Sequence, residues 1–284
     1  MKRLCILTIA AIASCGASVA RAQDASEWAV DAHSSARLIA GAAAKTEDAT
    51  FVRAGLEIKL DRNWHTYWRD PGDSGVPPTL DFAGSDNVKS VTTLWPAPQR
   101  FPDGAGGNSI GYLDHVVLPL RVTRQDASKQ ALLKLKLSYD ICNTMCVPVE
   151  ASLAVPLTGD GAEEATLEKA EARVPRALAI GEGRDNGKDT GLAILGVHRI
   201  PGKEHERVLV DVAAPKGVPV DLFVEGPTPE WSLPLPESKP NDMAPRQYVF
   251  DLDGLPPGAK ADGALLTFTA VSPDDAIEVK THLD

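Results

Sequence analysis

A chain of 284 residues, 43% of them hydrophobic and with a net charge of -10, is long enough for two modest packed domains and too apolar for bulk disorder. The acidic balance argues against nucleic acid or an anionic membrane surface as a partner. It falls further, to -13, if residues 1–22 are removed with Lys2, Arg3 and Arg21.

That removal is expected. Met-Lys-Arg followed by the short apolar run Leu4–Ile12 and the small-x-small site Ala20-Arg-Ala22 reads as a secretory signal peptide cleaved before Gln23. Cys5 leaves with it. Ile12-Ala-Ser-Cys15 also resembles a bacterial lipoprotein box, so lipidation of Cys15 stands as the alternative. No later stretch approaches about 20 apolar residues, so no membrane span is expected after export.

From residue 23 to 157 the pattern is β. Predicted strands are 28–33, 52–60, 65–68, 88–92, 115–122, 132–139 and 151–157, short runs with turn signals between them, which suggests an immunoglobulin-like sandwich. Two long connections, 63–78 and 95–107, combine tryptophan, phenylalanine and tyrosine with proline and glycine. Loops of that length are often functional, although Trp64 and Trp68 could equally be core residues.

Residues 158–190 change character. Ala162–Val174 has helix-forming composition with Leu167, Ala170 and Val174 on one stripe, Pro175 ends it, and Gly181–Gly187 reads as linker. Residues 191–284 return to strand patterns at 192–197, 208–212, 220–224, 248–252, 265–271 and 277–280. A proline-rich connection runs around Trp231. The expected architecture is all-β: two sandwiches joined by a short helical linker.

Chemistry concentrates at Cys142-Asn-Thr-Met-Cys146. Leu133, Leu135, Leu137 and Tyr139 alternate with polar residues before it, and Ala151, Leu153, Val155 and Leu157 alternate after it. The segment therefore reads as a β-hairpin with Asn143–Met145 as its loop. Residues flanking such a loop come close enough for a disulfide, with a bulge expected to turn both sulfurs the same way. A bond closing so short a loop restrains the unfolded chain little, which weakens a purely structural motive. A redox dithiol is the sharper reading. A third possibility is Cu(I) held by Cys142, Met145 and Cys146, a soft ligand set; zinc is disfavoured, because His65 or His115 could reach the pair only through the fold. Nucleotide fingerprints, a Gly-x-Ser-x-Gly elbow and Cys-x-x-Cys-His are missing from the sequence.

Trp64-His-Thr-Tyr-Trp-Arg-Asp-Pro-Gly-Asp-Ser-Gly75, Phe101-Pro102, Gly111-Tyr112 and Tyr139-x-x-Cys142-x-x-x-Cys146-x-Pro148, in that order, resemble the periplasmic N-terminal region of the DsbD/ScsB thiol-disulfide reductases. The resemblance covers roughly residues 28–157. It implies an immunoglobulin-like fold whose redox-active disulfide, Cys142–Cys146, serves without a further cofactor and passes electrons to exported, thioredoxin-like partners. Processes such as cytochrome c biogenesis or copper tolerance would be its setting. By the same resemblance Cys146 forms the mixed disulfide, Cys142 resolves it, and a cap shields both. Trp64, Tyr67, Trp68, Asp70, Phe101 and Tyr139 are the expected cap and partner-contact residues. The three-residue spacing is closer to the ScsB-like branch than to DsbD. The family's membrane and C-terminal thioredoxin-like domains have no counterpart in this sequence, so a separate membrane electron donor is expected.

Overall fold

The computed structural model describes residues 24–46, 50–104, 106–158, 161–183, 191–239 and 245–284. The expected leader with Cys5 and Cys15, and the linker beyond Gly183, lie outside the described residues.

The first part contains β1 (Ala29–Val30), β2 (Ser34–Lys45), β3 (Thr50–Leu60), β4 (His65–Gly72), β5 (Thr79–Asp81) and β6 (Val88–Thr93). It continues with β7 (Gln99–Pro102), β8 (Asn108–Leu113), β9 (His115–Arg124), β10 (Ala131–Cys142) and β11 (Cys146–Leu157). One sheet runs β1-β2-β3-β9-β6. The other runs β11-β10-β4-β8-β7, with β5 also on β10. Leu38, Leu56, Leu118 and Leu120 of the first sheet meet Trp68, Ile110, Leu133 and Leu135 of the second, all at or near zero exposure. Burying each such side chain contributes about 1.5–3 kcal/mol.

A helix, α1 (Glu164–Glu171), follows, then β12 (Arg176–Leu178), β13 (Ala193–Ile200), β14 (Arg207–Ala213), β15 (Asp221–Glu225), β16 (Glu237–Ser238), β17 (Arg246–Asp251), β18 (Leu265–Val271) and β19 (Ala276–His282). The sheets β12-β19-β18-β15 and β13-β14-β17-β16 enclose a second core around Val210, Tyr248, Phe268 and Val279. The described residues thus form two β-sandwiches of immunoglobulin-like kind.

Several expectations need correction. The predicted strand 28–33 shrinks to Ala29–Val30, and the long strand that follows, β2, has no clear period in the sequence. The cause is burial on both faces. Ala36, Leu38 and Ala40 point into the sandwich, while Ile39 packs outward against Leu167 and Ala170 of α1. Gly41 and Gly55 leave the space for that helix; a Cβ on either would come within 2.5 Å or 2.8 Å of Leu167. The helix is therefore docked on the first sandwich, whereas β12 pairs in parallel with β19 of the second. The expected helical linker thus carries two elements, one packed on each sandwich.

The two long connections also contain strand. β4 continues to Gly72 through an irregularity between Tyr67 and Gly72, and the second connection contributes β7. Proline and glycine concealed both. Finally, no bulge is needed at the cysteines. The β10–β11 register is unbroken from Ala131↔Leu157 to Cys142↔Cys146, and directly opposed residues already face the same side.

Candidate redox site

Strand parity builds the site. Along β10 the odd residues Leu133 to Ile141 enter the core, so Cys142, one residue on, turns to the outer face of its sheet. Cys146 opposes it across the hairpin with Cα atoms 4.1 Å apart, and the two sulfurs are bonded. The turn is closed by the Asn143 amide donating to the Met145 carbonyl at 3.0 Å. Between the cysteines Met145 is 65% exposed, its thioether in solvent. Among the described residues no group of three or more His, Cys, Asp or Glu is arranged to hold a metal.

The two sulfurs have different surroundings. Cys142 is 2% exposed, whereas Cys146 is exposed. On the far side of β10, Cys142 pairs with His65 of β4, and Ile141 pairs with Thr66. His65 and Tyr67 therefore share the outer face with the disulfide, while Trp64, Thr66 and Trp68 take the opposite one. The Tyr67 hydroxyl lies 3.0 Å from Cys142 Sγ and 3.6 Å from Cys146 Sγ. Burial raises the Tyr67 pKa, which keeps the proton on the oxygen. Burial likewise lowers that of His65, which favours the neutral ring. That ring sits 4.5 Å from Phe101 and edge-on to Tyr67 at 5.6 Å.

The connections around this face are sewn to each other. Ser74 donates to Asp103 at 2.9 Å, Asp73 accepts from the Asn108 amide at 2.8 Å, and the Asp73 amide donates to the Asn108 carbonyl at 3.0 Å. Gly75, at φ +140°, lies against the Tyr67 ring; a Cβ there would come 2.3 Å from it. Gly111, paired with Tyr67, brings β8 so close to β4 that a Cβ would sit 1.9 Å from the Thr66 carbonyl oxygen.

Of the residues expected at a cap, Tyr67 touches the sulfurs and Phe101 covers His65 beside them. Trp64, Trp68 and Tyr139 belong to the core instead. Trp64 stacks on His33 at 4.2 Å, Trp68 is fully buried against Phe223, and the Tyr139 hydroxyl hydrogen bonds to that of Ser34 at 2.8 Å. Asp70 is turned toward the second sandwich. Burial, with Glu225 adding to it, pushes its carboxyl up to about 6, while the Gly72 amide donates to it at 3.3 Å. Gly75 and the Ser74–Asp103 and Asp73–Asn108 bonds were not singled out in sequence, and His65 was named there only as a metal ligand that the fold would have to bring in. The predicted strand 65–68 already put His65 and Tyr67 on one face; what the sequence lacked was its pairing with β10, which sets that face beside the disulfide.

A β-sandwich with a disulfide at the end of one sheet, one sulfur open and one under a tyrosine, defines a class of thiol-disulfide domain. Residues 35–158 match the family model described as thiol:disulfide interchange protein DsbD, N-terminal. The fold is similar to the crystal structure of the N-terminal periplasmic domain of ScsB from Proteus mirabilis. The TM-score is 0.68 at 20% identity, over 92% of this chain and 98% of that one. A search of the curated proteins finds no match. Among the described residues no helix is long and apolar enough to cross a membrane.

Proposed function

We propose that this protein carries out thiol-disulfide exchange in the periplasm, relaying two electrons to exported, thioredoxin-like partners through Cys142 and Cys146. The observation that carries the reading is the asymmetry of the sulfurs: Cys146 exposed, Cys142 buried beneath a hydroxyl donor. Exchange proceeds by in-line attack of a thiolate on a reachable sulfur, and the leaving sulfur departs faster when its thiolate is stabilised.

In the reduced protein the Cys146 thiolate attacks one sulfur of the partner's disulfide. The partner's S–S bond breaks, its second sulfur leaves as a thiolate, and a mixed disulfide forms. The Cys142 thiolate then attacks Cys146 Sγ. The intermolecular bond breaks, the partner departs with its second thiolate, and the Cys142–Cys146 bond is restored. Recharging runs the same steps backwards: a donor thiolate attacks Cys146, and the electron pair of the broken bond goes to Cys142 Sγ beside the Tyr67 hydroxyl. The tyrosine stabilises the resolving sulfur in both directions. A separate membrane electron donor would supply the electrons.

The reduction potential of the pair, equilibrated against glutathione or dithiothreitol in the purified mature protein, tests this. A value between about -270 and -120 mV lies in the range of exchange proteins and supports the relay. A value below about -300 mV marks a structural disulfide and overturns it.

A further inference from the structure

Both arms of the shield over the disulfide are tied to one strand of the second sandwich. Arg69 lies two residues beyond Tyr67 on β4, where the pairing with β8 becomes irregular, and its guanidinium sits over the Trp68 ring at 4.5 Å. Arg69 donates through Nε and Nη2 to the two carboxylate oxygens of Glu225, at 2.8 Å and 2.7 Å, and through Nη2 to Glu278 at 2.6 Å. The three side chains are only 19–27% exposed, so the pairing is shielded from solvent more than a surface bridge would be. Between Tyr67 and Arg69, Trp68 packs at 5.8 Å on Phe223, a fully buried β15 residue that completes the core of the first sandwich.

The other arm repeats the arrangement. Arg100 immediately precedes Phe101, whose ring covers His65. Its guanidinium bonds Asp221 at 2.8 Å and the Leu222 carbonyl at 3.0 Å and lies over the Phe223 ring at 5.6 Å. Asp221, Leu222, Phe223 and Glu225 of β15 thus hold β4 and β7 at points one or two residues from the side chains at the sulfurs.

We propose that the second sandwich is a latch for the shield: β15, through Arg69 and Arg100, holds Tyr67 and Phe101 in place and so sets how readily thiols reach the disulfide. Arg69, Arg100, Asp221 and Glu225 are positioning residues, acting through Tyr67 and Phe101. The inference rests on the exchange reading for its biological sense, but the geometry and its test do not need a physiological partner.

The test is the rate at which dithiothreitol reduces the disulfide in the mature two-domain protein, comparing wild type with the Asp221→Asn, Glu225→Gln double variant. These substitutions lie on the second sandwich, away from the sulfurs. A latch predicts an increase of about fivefold or more when both proteins also carry Tyr67→Phe, which keeps the shielding ring and takes the hydroxyl's effect on the leaving sulfur out of the comparison. The same double variant in a Tyr67→Ala background should add much less than it does alone, because the two changes act through one element. An unchanged rate in a folded double variant, or effects that multiply independently of Tyr67, overturns the proposal. If the double variant melts below the assay temperature, Glu225→Gln alone gives the same comparison, with Arg69 still held by Glu278. A potential below the exchange range would end the relay reading and leave this comparison interpretable.

Discussion

The Tyr67 hydroxyl stands 3.0 Å from the sulfur of Cys142, and since a disulfide sulfur carries no proton, the tyrosine is the donor. When the bond opens, that hydroxyl faces a thiolate. A hydrogen bond to a charged group contributes about 1.5–3 kcal/mol. Tyr67→Phe should therefore raise the Cys142 thiol pKa by roughly one unit and slow exchange about tenfold, with little change in melting temperature. Thiolate absorbance against pH, in the reduced protein, measures the first, and stopped-flow reduction the second.

The two cysteines should fail differently. With Cys142→Ala, the exposed Cys146 can form a mixed disulfide that nothing resolves, so partners accumulate as covalent adducts on non-reducing gels. With Cys146→Ala, the remaining thiol is buried and adducts should be absent. Equal trapping by both variants would contradict the assigned order of attack.

Asp70 gives a pH signature at the domain contact. Its folded-state pKa is raised to about 6, so it favours the folded state fully below the unfolded value of about 3.9, and that contribution is lost as pH rises through about 6. Asp70→Asn keeps an acceptor for the Gly72 amide and removes the charge. It should stabilise the protein at pH 7 by about 1–3 kcal/mol and flatten stability between about pH 4 and 6. Urea unfolding at a series of pH values checks both.

Glu57 works in the opposite sense. Burial opposes its ionisation, but hydrogen bonds from His115 at 2.9 Å and Arg37 at 2.7 Å outweigh that and hold its carboxyl at about 2. Its contribution is present above the unfolded value of about 4.3 and lost as pH falls through about 2. Glu57→Gln should cost roughly 2–4 kcal/mol at pH 7, since Arg37 loses its nearer carboxylate and keeps only Glu163 at 3.4 Å. The same substitution should make acid unfolding less steep. Chemical denaturation of the variant beside wild type decides it.

Gly75→Ala should disturb the shield without touching a sulfur. A methyl 2.3 Å from the Tyr67 ring must displace it, and φ +140° is itself unfavourable for alanine. Dithiothreitol should reduce this variant about as fast as Tyr67→Ala. Wild-type rates would mean that the tyrosine tolerates the shift.

The hairpin was readable because Leu133 to Tyr139 and Ala151 to Leu157 each bury one face, and a period of two survives in the sequence. β2 was hidden because α1 covers its other face, and burial on both sides erases the period. The aromatic run 64–68 announced that something happens there. Parity along the predicted strand 65–68 separates Tyr67 from Trp64 and Trp68, but which of the two faces meets the disulfide depends on the pairing of β4 with β10, which no local pattern shows. The pairing of Arg69 with Glu225 lay beyond any local reading, because the two are joined only by the docking of one sandwich on the other.

The register from Ala131 to Leu157 is complete without the sulfur bridge. The ladder that positions both cysteines does not depend on the bridge, so the proposed cycle would need no change of outline at the hairpin. A donor and an acceptor of the proposed kind would then meet the same surface and compete for it. What tells them which half of the cycle they have met is the presence of a nucleophile at Cys146, so the traffic is directed by reactivity and by the relative abundance of the two visitors.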